Sequence, residues 1–130
     1  MIPHIYVAAP YRAKTRQAVE ANMAAARHVG QLMVRMGWHP VLPTINTGLM
    51  GLDYPGLQDD QWWLDATIGL MLRCDAMVLT PGWQFSEGCL GEIDRATDAG
   101  MPIYHPHEVP DAARFVAGDG LRFKYLHAVS

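Results

Sequence analysis

Short β-type runs alternate with helical ones along the chain, and a chain patterned in this way has few folds open to it. Residues 4–8 (HIYVA) form a β-rich run that Pro10 brings to an end, because proline cannot continue a sheet ladder. Over residues 15–36, Val19, Met23, Ala26, Val29, Met33 and Met36 recur at steps of three and four. That spacing predicts a helix with one long apolar face, stopped by Gly37. Residues 39–42 (HPVL) read as a second strand, closed by Pro43. The stretch 44–56 is rich in Gly, Asn, Thr and Pro and predicts a 13-residue loop, long enough to suggest a functional segment. Residues 59–73 predict a second long helix with Trp63, Ala66, Leu70 and Arg73 on one flank, its acidic start and basic end suiting the helix dipole. A strand at 76–80 (AMVLT), a loop at 81–88 and a helix at 87–99 follow, and Gly100 stops that helix. A fourth strand at 101–105 and a short helix at 109–117 come next, while the tail at 121–129 fits either a strand or an extended arm.

Strict alternation of this kind implies right-handed crossovers and a parallel sheet. The expected fold is therefore α/β: a single-domain, Rossmann-like three-layer arrangement with a sheet of four to five strands and helices on both faces. Ligands of such sheets bind beyond the carboxyl ends of the strands, where the strand order reverses. Residues 8–12, the 44–56 segment and residues 81–88 should meet there.

Composition narrows the function classes. The chain has 130 residues, which at roughly 150 per domain makes one domain and leaves no room for a second core. A net charge of -3 gives no general attraction to nucleic acid polymers or anionic membranes. Cys74 and Cys89 make neither a disulfide framework nor a zinc quartet. The first residues, MIPHIYVAAPYR, lack the pattern of a signal peptide, and no apolar run reaches the roughly 20 residues that span a bilayer. The expectation is a cytoplasmic domain with no membrane partner, no metal and no other cofactor.

The segment Gly82-Trp83-Gln84-Phe85-Ser86-Glu87-Gly88-Cys89-Leu90-Gly91-Glu92 carries the most chemistry. Ser86 sits where a helix begins, and free N–H groups there suit an anion such as phosphate. Glu92 lies about a turn and a half into that helix, so its carboxylate can face the same cleft. The plainer reading makes Ser86 a cap and Glu92 a solvated residue beside Arg95. Tyr6 comes from the first strand, and Arg12 in the loop after it has a guanidinium able to grip phosphate. Trp62, Trp63 and Trp83 are candidates for stacking on a nucleobase, or for ordinary packing. Asp59, Asp60 and Asp65 are candidate acids that also suit a helix start. His105 and His107 bracket Pro106 without a third ligand in a metal motif.

Together, IYVAAPYR, Cys74-Asp75 before AMVLT, and PGW-x-x-S-x-G-x-x-x-E resemble the nucleoside 2-deoxyribosyltransferase superfamily, over about residues 2–105. The resemblance implies cleavage or exchange of the N-glycosidic bond of nucleosides or nucleoside 5′-monophosphates. It places the nucleophile on Glu92 and a neighbouring tyrosine on Tyr6. Six residues before the nucleophile, an acidic residue marks relatives that bind a free 5′-hydroxyl and a serine marks those that bind a 5′-phosphate. Ser86 stands there, and with Arg12 near the same end the likeness favours nucleotides; Gly88 and Pro10 are further candidate substrate contacts. Asn46 matches a segment that lines the cleft, and Trp83 falls within the matching motif. The implied mechanism is retaining, through a glycosyl-enzyme intermediate, ending in hydrolysis or 2-deoxyribosyl transfer. The implied assembly is a homodimer or larger homo-oligomer. One position departs from the pattern: relatives usually carry an aspartate eight residues before the Cys-Asp aspartate, and here that residue is Thr67. Asp65 sits two residues earlier, about 200° around the helix. That departure raises the alternative of an inactive nucleotide-binding or sensor protein.

Overall fold

A computed structural model describes residues 1–46 and 48–118. Four strands, β1 (His4–Ala8), β2 (His39–Val41), β3 (Ala76–Leu79) and β4 (Ile103–Tyr104), form one sheet in the order β2-β1-β3-β4. Every pairing is parallel. The helices are α1 (Arg16–Arg35), α2 (Pro43–Asn46), α3 (Gly48–Asp53), α4 (Asp60–Met71), α5 (Glu87–Asp98) and α6 (Ala112–Val116). The fold is the expected α/β, Rossmann-like one, with four strands among the described residues. The tail at 121–129 lies outside them.

Side-chain alternation along the strands builds two cores. Ile5, Val7, Ala76, Val78 and Tyr104 pack with Val29 and Met33 of α1 and Phe115 of α6. Tyr6, Ala8, Met77, Leu79 and Ile103 pack on the other face, against Ile68 and Met71 of α4 and Ile93 and Ala96 of α5. Helix α1 runs as its spacing predicts, from a Thr15 cap that accepts from the Ala18 N–H to a turn at Gly37. Gly37 has φ +90°, a conformation that favours glycine. Asp75 does structural work at the amino end of the sheet: its carboxylate accepts the His4 N–H at 2.8 Å.

Three expectations need correction. Residues 44–56 are not one loop, because most of them fall in α2 and α3, with Pro43 at the first helical position where its missing N–H costs nothing. Helix α4, expected over 59–73, spans Asp60–Met71 and packs inward through Ile68 and Met71. It ends at Met71, before Arg73, so no basic residue stands in its last turn. The short helix begins at Ala112 instead of 109, since Val109 and Asp111 are extended and Pro110 accepts the Trp38 indole N–H at 2.9 Å. Among the described residues, no helix is long and apolar enough to cross a membrane.

Candidate functional site

The strand order reverses between β1 and β3, so the ligand crevice of this sheet lies past Ala8 on one side and Leu79 on the other. Gly82, at φ +95°, turns the chain after β3 into a single 3-10 turn over Trp83–Phe85, and α5 begins directly afterwards. Ser86 is the cap of α5: its hydroxyl oxygen accepts the Cys89 N–H at 3.2 Å. The hydroxyl proton remains available to an anion at that end.

Inside α5, Glu92 points into the core, where it is only 9% exposed. The Tyr6 hydroxyl donates to its carboxylate across 86 positions of sequence. No salt bridge reaches Glu92 among the described residues. Burial without a counter-cation disfavours the charged form, and it pushes the Glu92 carboxyl up to about 7, against the smaller downward pull of the Tyr6 hydrogen bond. Burial, and then the neighbouring Glu92, raise Tyr6 well above its ordinary value, so it stays a protonated donor at neutral pH. Burial likewise holds the Cys89 thiol at about 11, with Ser86 pulling down and Glu92 pushing up. A thiol held so high is not a thiolate at neutral pH, and Glu92 is the nucleophile candidate in this helix. Thr80, at the carboxyl end of β3, is fully buried with no hydrogen-bond partner for its hydroxyl among the described residues.

The other sequence-derived candidates divide. Pro10 lies beside Gly82, whose added Cβ would stand 3.7 Å from the proline ring. Gly88 is exposed in the first turn of α5, where a Cβ would meet the Ser86 hydroxyl at 3.7 Å. Trp83 is half-buried against the core that contains Tyr6. Arg12 is drawn elsewhere, into an exposed ion pair with Asp60 at 3.2 Å, a contact that a competing anion displaces at little cost. Thr67 is half-buried on α4, and Asn46 ends α2. Asp59 caps α4, while Asp65 accepts from Gln61 on its surface. Trp62 and Trp63 meet edge to face at 5.0 Å. Trp83 and His105 approach to 6.1 Å and His105 and His107 stack at 5.9 Å, neighbours that no motif in the sequence joins. The available signal was strand parity, which puts residue 105 on the same side as Ile103.

Two surface depressions lie away from this crevice. One of about 720 Å³ sits by Pro3, Gly37 and Ala112, and one of about 310 Å³ lies along β2 by Val41 and Leu70. Both lack a buried titratable group, whereas the crevice between β1 and β3 has one, so the chemistry points to the latter.

A family model described as "Domain of unknown function (DUF7768)" matches residues 3–105, which include all the residues just placed in the crevice. No curated protein matches the sequence. A crystal structure of a conserved protein from Enterococcus faecalis V583 is similar in fold, with a TM-score of 0.55 at 16% identity, over 98% of this chain and 78% of that one.

Proposed function

The chain belongs to the DUF7768 family, a domain of unknown function, and we propose that this protein cleaves the N-glycosidic bond of nucleoside 5′-monophosphates with Glu92 as the nucleophile. One observation carries the reading: a carboxylate buried at the strand-order reversal, held by a phenol and, among the described residues, paired with no cation. The resemblance to nucleoside 2-deoxyribosyltransferases, read from the same residues, supports it.

In the proposed reaction a Glu92 oxygen bonds to the anomeric carbon while the carbon–nitrogen bond breaks, and the bonding pair leaves on the base nitrogen. Water then hydrolyses the glycosyl ester to pentose 5-phosphate, or a second base takes the sugar. Tyr6 orients the carboxylate and keeps part of it ionised. Ser86 and the first N–H groups of α5 receive the 5′-phosphate, and Arg12 joins them on leaving Asp60. The resemblance assigns Asn46 a base or sugar contact, Gly88 and Pro10 contacts to the substrate, and Thr67 a place toward the base. The reaction calls for neither metal nor organic cofactor, and it suits a cytoplasmic protein acting on free nucleotides.

A chromatographic base-release assay over nucleoside 5′-monophosphates and the matching nucleosides tests the proposal. Release from the phosphorylated set supports it; release from none overturns it. Catalytically inactive nucleotide binding is the second reading, favoured by Thr67 standing where relatives carry an acid.

Tyr6→Phe removes the hydrogen bond that draws the Glu92 proton affinity down. The rising limb of the pH–rate profile is therefore expected to move up by about one unit. The loss of activity is larger at pH 6.5 than at pH 8.5, and an unmoved limb contradicts the role given to Tyr6.

A second copy of this chain is the proposed partner. Helix α4 is apolar nearly all round, and such helices are normally covered. Leu64, on the same stripe as Ile68 and Met71, is nevertheless 51% exposed. Sedimentation is expected to give a dimer that Leu64→Lys dissociates; a wild-type monomer at every concentration rejects this partner.

A further inference from the structure

Residues Trp83, His105 and His107 stand in a row at the carboxyl rim of the sheet, and the reaction proposed above gives them no part. The topology explains why they meet. Ile103 faces the α4 and α5 side of the sheet and Tyr104 the α1 side. Position 105 therefore returns to the α5 side, just beyond the end of β4. A tight turn fixes it there: the His105 N–H donates to the Glu108 carboxylate at 3.1 Å, and the Glu108 N–H donates to the His105 carbonyl at 3.0 Å. Trp83 reaches the same place from the other direction. Gly82 turns the chain, the Trp83 N–H donates to the Thr80 carbonyl at 3.1 Å, and the indole lies on the core that contains Tyr6.

The rings then form a short aromatic series. Trp83 and His105 are tilted by 46° at 6.1 Å, and His105 and His107 are nearly parallel, 11° apart, at 5.9 Å. The first two rings are half-buried and the last is exposed, so the series runs from the edge of the core that contains Tyr6 out to solvent. Such a row offers π faces for stacking together with imidazole nitrogens that can donate or accept at a ring edge. A sugar phosphate can use the imidazole nitrogens but has no flat aromatic face to stack. A planar heterocycle uses both.

We infer that Trp83, His105 and His107 form the seat of the departing base, with Trp83 stacking on its face and the imidazoles meeting its polar edge. This rests on the proposed function, because it takes the sugar to be held at Glu92 and the phosphate at Ser86. It adds the element that contacts the third part of the substrate and gives β4 a place in the site.

The test uses the full chain carrying Glu92→Gln, so that ligands bind without turnover, and compares calorimetric affinities for nucleoside 5′-monophosphates and for 2-deoxyribose 5-phosphate. Adding Trp83→Ala is expected to weaken the monophosphates tenfold or more, within the range found for loss of one base–aromatic stack. Adding His105→Ala is expected to weaken them severalfold and to change their ranking by base. Neither change is expected to move the affinity for 2-deoxyribose 5-phosphate. Trp83→Leu and His105→Asn serve as second variants if the alanine forms melt early. Equal losses for the base-bearing and base-free ligands, or no loss for either, overturn the base seat while leaving the nucleotide reading in place. Binding of neither ligand by the parent overturns both.

Discussion

Base release from nucleoside 5′-monophosphates is expected to fall at least about 1000-fold in Glu92→Gln, with the fold retained. The amide keeps the shape of the side chain, and its oxygen still accepts from Tyr6, but it has no anionic oxygen to bond to the anomeric carbon. A loss of this size corresponds to about 4 kcal/mol of transition-state stabilisation, which no repacking at a conserved volume explains. Circular dichroism and a cooperative melt check the fold, and chromatography of the free base checks the rate. Retention of more than about a tenth of the activity would remove Glu92 from the reaction.

The same substitution is expected to stabilise the protein in alkaline solution. Glu92 holds its proton more tightly in the folded chain, at about 7, than an ordinary glutamate at 4.5. Its contribution to stability is therefore complete below about pH 4.5 and is lost as the pH rises through about 7. The difference amounts to about 3 kcal/mol, or roughly 10 °C in melting temperature for a chain of this size. Glutamine does not titrate, so Glu92→Gln lacks that slope. The melting temperatures of the two proteins are expected to converge near pH 4.5 and to separate by pH 8, with the variant higher. A carboxylate kept for structure would show the reverse, with the wild type higher at pH 8. Stability sacrificed at one buried charge, in a sheet otherwise filled with apolar side chains, is the pattern of a site kept for its chemistry.

Much of this frame was legible in the residues. The α1 stripe of Val19, Met23, Ala26, Val29 and Met33 is buried as its spacing predicts, because a helix of 20 residues repeats one face often enough to declare it. Helix α4 could not be oriented in this way. Apolar residues surround it, so periodicity carried no direction, and only the packing of Ile68 and Met71 fixes its inward face. The helices α2 and α3 span four and six residues, too few to repeat a 3.6-residue pattern, and their Gly, Asn and Pro content reads as loop. In the candidate site, Ser86 as a cap was readable from its place before a helical run. The approach of Tyr6 to Glu92 was not a matter of spacing, since it depends on β1 lying next to β3 and on α5 packing back across both. Family likeness suggested that pair, and topology supplies its physical reason. Arg12 shows the opposite case: its charge suggested a phosphate, but Asp60 at the start of α4 is the partner it finds.

The central claim is a glycosyl ester on Glu92, and the configuration of the product tests it most directly. Base release from a β-linked 5′-monophosphate, run in water containing methanol, yields a methyl glycoside whose anomeric configuration is read by nuclear magnetic resonance. Two displacements through Glu92 give the β-methyl product, with the configuration of the substrate retained. The α-methyl product would mean that solvent attacks the sugar directly, and it would contradict the account.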